Sequence, residues 1–360
     1  MRRLMVLQQE LPGRELPPGA AVVVRAGTTV ETARRMLEAQ SADPEATAAT
    51  KSLLASLDRG EGFDPAEWQP QRNALLASPA RRGALEARRA AIQQGSGRMQ
   101  LKDLAGCDLG ERLVDFSPDD AILYALAVGT SAAQLDLVYE QDLRVLPVYG
   151  CALGLWAVEA AGELGAYDRT RSLHVGQSLT VHEPLRPEPF ETHGSIRSVF
   201  DKGRLTIVEI GVAATSFEAT YTVLLPGIGG WGGEPPPPSE QPAPLVPSWT
   251  GTVNIGPDAA ALYRLTGDKH PVHIDPAVAA AMGLDGPILH GLATMGIVAR
   301  VVAAAVGAHP ADLSASRVRF SNPVYPGCEL RIAVDAGTDA ARAQASVEDA
   351  TVMSGEFTFR

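Results

Sequence analysis

Two stretches of the chain are apolar around nearly the whole turn of a helix: Gly154-Leu-Trp-Ala-Val-Glu-Ala-Ala161 and Gly296-Ile-Val-Ala-Arg-Val-Val-Ala-Ala-Ala305. A helix without a polar face must be buried. Each is followed by runs in which apolar and polar residues alternate. These are Gly194 to Val199, Leu205 to Val212 and Ala219 to Leu224, then Ala315 to Phe320, Glu329 to Val334 and Ala343 to Val347. A period of two predicts strands with one buried face. A short helix precedes each set. Ser117-Pro-Asp-Asp120 offers a capping hydroxyl, a proline for the first turn and acids for the positive helix end. Pro257-Asp258 opens the counterpart. A buried helix wrapped by an antiparallel sheet is an α+β unit, and the pattern predicts two of them.

The two units repeat one another. Ile122-Leu-Tyr-Ala-Leu126 resembles Ala261-Leu-Tyr-Arg-Leu265 at an offset of 139 (262 − 123). Tyr149-Gly150 and His290-Gly291 each precede an apolar stretch, 141 residues apart (291 − 150). His182-Glu-Pro-Leu-Arg-Pro187 resembles Ser321-Asn-Pro-Val-Tyr-Pro326, again at 139 (323 − 184). Three matches in order and at nearly one offset indicate a duplication. Between the units, Gly227 to Ser248 holds Gly-Gly-Trp-Gly-Gly, Pro235-Pro-Pro-Pro238, Pro242, Pro244 and Pro247, which neither a helix nor a central strand tolerates.

The first ~95 residues differ. Residues 29–40, 44–57, 64–76 and 81–92 are helical by composition, punctuated by Gly60, Gly62, Pro79 and Gly83. The expected organisation is a helical extension over 1–97, a first unit over 98–226, a linker over 227–248 and a second unit over 249–360.

Composition narrows the function. A net charge of −11 opposes nucleic-acid binding. No apolar run reaches the ~20 residues of a membrane span, and the apolar start is too short for a signal-peptide core. Cys107, Cys151 and Cys328 are scattered and odd in number, fitting neither a disulfide framework nor a metal site. The expectation is a soluble, cytoplasmic protein with no metal. The C-terminal Phe357-Thr-Phe-Arg360 carries no peroxisomal address.

The chemistry concentrates in Tyr263-Arg-Leu-Thr-Gly-Asp-Lys-His-Pro-Val-His-Ile-Asp-Pro276. Asp268 and His273 stand five residues apart, with Gly267 and Pro271 shaping the turn. Two readings are open from these residues alone: a carboxylate and an imidazole sharing one water for acid/base work, or an Asx-type turn with a core histidine. The matching slot of the first unit, Val128-Gly129-Thr130-Ser131, has neither group, so the duplicated architecture does not itself demand them.

This segment resembles the signature of the MaoC-like, type-2 enoyl-CoA hydratases. Gly286-Pro-Ile-Leu-His-Gly-Leu-Ala-Thr294, Phe320-Ser-Asn-Pro-Val-Tyr-Pro-Gly327 and Ser117-Pro-Asp-Asp-Ala-Ile-Leu-Tyr-Ala-Leu-Ala-Val-Gly129 extend the likeness over roughly residues 100 to 360. The resemblance implies a double hot-dog fold, in which two antiparallel sheets each wrap a central helix. It also implies reversible hydration of trans-2-enoyl-CoA to (R)-3-hydroxyacyl-CoA by Asp268 and His273, with CoA as part of the substrate and no cofactor. The backbone N–H of Gly291, at a helix start, is the expected oxyanion donor. His270 stands where the family often has Asn, and is expected to position the water or the loop.

Gly150 is expected to make room for an acyl tail in the first unit, and Lys202, Arg204, Arg317 and Arg319 are the candidate cations for CoA phosphates. The chain either suffices as a monomer or pairs as a homodimer. Two alternatives stand beside the hydratase: a dehydratase on carrier-bound acyl chains, and a silent thioester-binding scaffold. Residues 44–54 and 75–85 are similar to the C-terminal helical tail of crotonase-fold proteins, whose catalytic core is absent.

Overall fold

A computed structural model describes residues 100–168, 171–238, 244–337 and 340–360. The four helices expected before residue 97 lie outside the described residues. Met99–Val114, Asp119–Arg186 and Phe190–Arg360 pack as one compact unit that contains both halves. Asp115–Pro118 and Pro187–Pro189 fall outside that unit.

The first half contains β1 (Asp108–Val114), α1 (Pro118–Ala127), α2 (Leu135–Val138), α3 (Tyr149–Leu153), α4 (Trp156–Glu163), β2 (Leu173–Val181), β3 (Phe190–Asp201), β4 (Leu205–Ala213) and β5 (Phe217–Pro226). The second contains β6 (Trp249–Asn254), α5 (Ala259–Tyr263), α6 (Pro276–Ala281), α7 (Gly291–Ala305), β7 (Leu313–Phe320), β8 (Glu329–Ala336), β9 (Ala341–Val347) and β10 (Ala350–Phe359).

The strands form one antiparallel sheet in the order β1-β3-β4-β5-β2-β7-β10-β9-β8-β6. Each half therefore repeats one topology, with β1 to β5 answering to β6 to β10 in turn. The expected two sheets are fused into one by the pairing of β2 with β7, from Gly176↔Arg319 to Thr180↔Ala315. At its centre Ser178 faces Arg317, and 317 − 178 is 139, the offset of the sequence repeat. Residues that face each other at the midpoint of an antiparallel pair are related by a local two-fold axis, so these two are equivalent positions of the duplication. The architecture is a double hot-dog.

The buried helix α7 packs on β7 to β10. Leu292 to Ala299 are all buried, with Val302 and Ala303. Gly296 is required by close approach, because a Cβ there would meet Val128 Cγ1 at 2.7 Å and Tyr124 Oη at 2.9 Å.

The counterpart in the first half is not the single long helix that its composition predicts. It breaks into α3 and α4 at Gly154. The Tyr221 hydroxyl donates to the carbonyl of Cys151 at 2.5 Å, taking an acceptor that the helix ladder needs, and Leu155 N–H turns to Ala152 O instead. A side chain inserted into the ladder is a known cause of helix breaks. Gly154 leaves the hydroxyl its room, since a Cβ there would lie 2.6 Å from Tyr221 Oη.

Strands β1, β2, β6 and β10 are not expected from alternation. β1 and β6 are the sheet edges, where one-sided burial weakens the pattern. β2 and β10 carry register shifts at His174/Gly176 and Thr351/Met353, which break the period of two.

The start of the linker is pinned. Asp201 accepts from the N–H groups of Gly203, Gly230 and Gly232, and these bonds, Gly230 first, hold its carboxyl below the usual range. Among the described residues no helix is long and apolar enough to cross a membrane.

Candidate active site

The segment from Gly267 to Pro276 is a series of caps. Gly267 sits at φ 144°, a conformation that only glycine adopts without strain, and delivers the chain into Asp268. Asp268 Oδ1 accepts the N–H of His270 at 3.0 Å, closing an Asx turn and leaving Oδ2 for other work. His270 Nδ1 accepts the N–H of Val272 at 3.3 Å, capping a 3-10 turn, Pro271–His273. Asp275 then caps α6 by accepting from Ala277 N–H at 2.8 Å, with Pro276 in the first turn. His270 therefore acts on the loop, its ring 6.2 Å from that of His273.

Asp268 Oδ2 and His273 Nε2 face each other at 3.9 Å, with side-chain exposures of 20% and 11%. The distance is too long for a hydrogen bond. His273 Nδ1 contacts the carbonyl of Ile288 at 2.8 Å, so Nδ1 carries the hydrogen and Nε2 presents a lone pair toward the carboxylate. Burial pushes the His273 pKa down, against the opposing influence of Asp268.

Sequence reasoning used His290 only to mark a helix start. It is a third member of the cluster, 1% exposed. Its ring stacks on His273 with centroids 3.6 Å apart and planes 22° apart, and its Nε2 lies 3.3 Å from the Asp268 carbonyl. The signal available was its place: a histidine directly before the helix-opening glycine. Burial and the neighbouring His273 lower its pKa to about 3.

Asp268, His273 and His290 bring ligand-type atoms within 4.8 Å of one another. They do not fit a metal. The in-plane lone pairs of two rings stacked at 3.6 Å and 22° lie in separate, nearly parallel planes, whereas a zinc ion needs them to converge at about 2 Å.

Gly291 opens α7, where the first N–H groups have no partner within the helix. A Cβ there would meet the Phe320 ring at 3.3 Å. Beyond Phe320, at 5.2 Å between ring centroids, lies His174 of β2. The first half thus reaches this site with a strand-end residue. Burial lowers the His174 pKa, and Asp268 acts against that shift.

The other candidates stand elsewhere. On β7, Ser316 and Val318 are buried while Arg317 and Arg319 are exposed. Successive side chains of a strand take opposite faces, so both arginines point away from the face that packs on α7. Lys202 and Arg204 are exposed in the β3–β4 turn. Gly150 is buried, and the Phe217 ring fills the space beside it, 3.2 Å from a Cβ at that position. The room it leaves is next to an aromatic ring.

A two-fold hot-dog pair with one carboxylate–imidazole site defines a class, and comparison with known proteins identifies it. Residues 115–224 match the MFE-2 hydratase 2 N-terminal domain, and residues 237–357 match the MaoC like domain. The chain is 31% identical over 274 residues to 3-hydroxyacyl-thioester dehydratase Y of Mycobacterium tuberculosis, covering 67% of this chain and 93% of that protein. It is 34% identical over 274 residues to peroxisomal multifunctional enzyme type 2 of Drosophila melanogaster, covering 67% of this chain and 45% of that one. It thus spans less than half the length of that multifunctional relative. The fold is shared with a MaoC-like dehydratase from Phytophthora capsici at a TM-score of 0.63 and 24% identity, over 72% of this chain and 97% of the other. The chain belongs to the MaoC-like, type-2 enoyl-CoA hydratase family.

Proposed function

We propose that this protein is a hydro-lyase that adds water reversibly to trans-2-enoyl-CoA, giving (R)-3-hydroxyacyl-CoA. One observation carries the reading. A carboxylate oxygen and an imidazole lone pair, both acceptors, face each other across 3.9 Å beside the free N–H groups of α7. Two facing acceptors need a donor between them. A water at ordinary hydrogen-bond distance from both would subtend an angle of about 90°, giving one hydrogen to each.

The chemistry follows from that placement. The water oxygen bonds to the third carbon of the enoyl group as a proton passes to the dyad. The electron pair of the double bond moves toward the thioester oxygen, which the Gly291 N–H and the positive end of α7 stabilise. A proton from the dyad then reaches the second carbon, so the water is consumed whole. The coupled pair, rather than either member alone, carries that one proton between the two carbons. No cofactor is needed, because CoA arrives with the substrate. His270 positions the loop, and the exposed Lys202, Arg204, Arg317 and Arg319 are the cations available to the CoA phosphates. The names of the fly enzyme and of the mycobacterial dehydratase support enoyl-thioester chemistry, and acyl-chain β-oxidation is the pathway class that fits.

The test is loss of enoyl-thioester absorbance when purified protein is added to crotonyl-CoA and to decenoyl-CoA. Consumption of either, abolished in Asp268→Asn, supports the reading. No loss with either sinks it. Chiral analysis of the product separates (R) from (S) addition.

A further inference from the structure

We infer that His290 is a positioning residue that keeps His273 neutral and fixes the orientation of Asp268. This rests on the hydratase reading for its consequence in catalysis, but not for its physical content.

Two contacts of this side chain and one backbone link converge on the site. The first is the stack on His273, at 3.6 Å and 22°. The second is the 3.3 Å contact from Nε2 to the carbonyl of Asp268. A carbonyl only accepts, so Nε2 carries the hydrogen. The third is covalent: His290 directly precedes Gly291, so anything that shifts its backbone shifts the oxyanion N–H. One side chain therefore links the carboxylate, the imidazole and the helix start.

The tautomer fixed by the Asp268 carbonyl leaves His290 Nδ1 as a bare acceptor. It is buried and, among the described residues, has no hydrogen-bond partner. An orphaned buried polar atom is a cost to the fold. A core position that needed only an aromatic ring would take phenylalanine without that cost. The imidazole is explained if both its flat face and its Nε2–H are used. Tyr263 closes the far side, its ring 4.8 Å from that of His290.

The stack excludes water from one face of His273. A positive charge on His273 would have to form against a neutral, buried ring in place of solvent, which lowers its proton affinity. The other titratable or charged groups that act on the two rings are Asp268, His270 and Arg264. Only Asp268 favours a protonated ring. A water between Asp268 and His273 can give a hydrogen to Nε2 only while Nε2 is bare, so the stack extends the working state of the dyad toward acid pH. The contact to the Asp268 carbonyl does separate work, holding the backbone at the residue after Gly267.

The two roles can be dissected. His290→Gln retains an N–H donor and removes the stack. His290→Phe retains the stack and removes the donor. The readouts are the pH profile of kcat/KM for enoyl-CoA hydration and an NMR titration of the His273 ring in the full-length, substrate-free protein, with the resonance assigned through His273→Asn. The expected result for His290→Gln is an acid limb and a His273 titration that both move up toward about 6.5. For His290→Phe both stay in place, while kcat falls about 10- to 100-fold from misplacement of the carboxylate with KM little changed. Wild-type limbs, titrations and kcat in both variants would overturn the inference. So would equal changes in the two variants that track only a lowered melting temperature. If the wild-type protein consumes no enoyl thioester, the hydratase reading fails while the ring titration still decides the role of His290 on His273.

Discussion

Replacing Asp268 by asparagine is the most informative single change. Asparagine retains an oxygen for the His270 N–H, so the loop should close as before. The charge is what disappears. At 3.9 Å a full carboxylate–imidazolium attraction is about 4 kcal/mol at an effective dielectric near 20. The partial exposure of Asp268 screens part of this attraction. In the wild-type protein that attraction opposes desolvation. Without it, burial acts alone and the His273 pKa falls further. The variant should therefore lose about 10²- to 10⁴-fold in kcat, as for the loss of one acid/base partner. Its residual activity should also lose its acid limb, becoming flat toward low pH. Stopped-time assays of enoyl-CoA absorbance across pH 5 to 9, paired with NMR titration of the His273 ring, would measure both. A His273 titration that moves upward, or a kcat within tenfold of wild type, would refute the pairing deduced from the structure.

Other consequences are equally direct. Gly291→Ala should lower kcat/KM about tenfold or more, since the added Cβ presses on Phe320 at 3.3 Å beside the oxyanion N–H. A steady-state assay with unchanged kcat/KM would remove Gly291 from the site. Gly154→Ala should destabilise by about 1–3 kcal/mol through overpacking against Tyr221 Oη. Tyr221→Phe should restore part of that loss in a urea-melt double-mutant cycle, and additive losses would deny the wedge. His290 and His273 have lowered folded pKa values. Below the unfolded value of about 6.5 the unfolded chain therefore binds protons that the folded chain does not. Stability should fall as pH drops through this window, by up to about 1.4 kcal/mol per pH unit for each group, and His290→Phe should reduce that slope in melts at pH 7, 6 and 5. Alanine at both Lys202 and Arg204 should raise KM for acyl-CoA without lowering kcat, and an unchanged KM would leave the phosphates to other residues.

Much of this was legible in the chain because its signals are local. The α7 helix announces itself by being apolar all round, and the duplication by its constant offset. Asp268 and His273 are visible because the matching slot of the first half lacks both. What escaped depends on meetings between distant residues. His290 joins the dyad only after α7 is laid against the catalytic loop. The break between α3 and α4 is made by a tyrosine on β5, 70 residues along the chain from the carbonyl it binds. For Arg317 and Arg319, alternation identified the strand but did not say which face looked at the helix; both lie on its exposed face. Gly150 was legible only as a small residue, which marks the need for space and not that Phe217 lies beside it.

The strand pair at the centre of the sheet has a further meaning. In a symmetric dimer of single hot-dogs, every substitution is made twice, once in each of two identical sites. Here Ser178 and Arg317 stand at equivalent positions and are already different residues. Joining the halves in one chain releases each from the other's constraints. One can fill its helix start with Phe217 and break its helix on Tyr221, while the other holds a carboxylate and two stacked imidazoles. The bulk that would have blocked both sites blocks one, and the half that surrendered its chemistry still supplies His174 to the neighbour of Gly291.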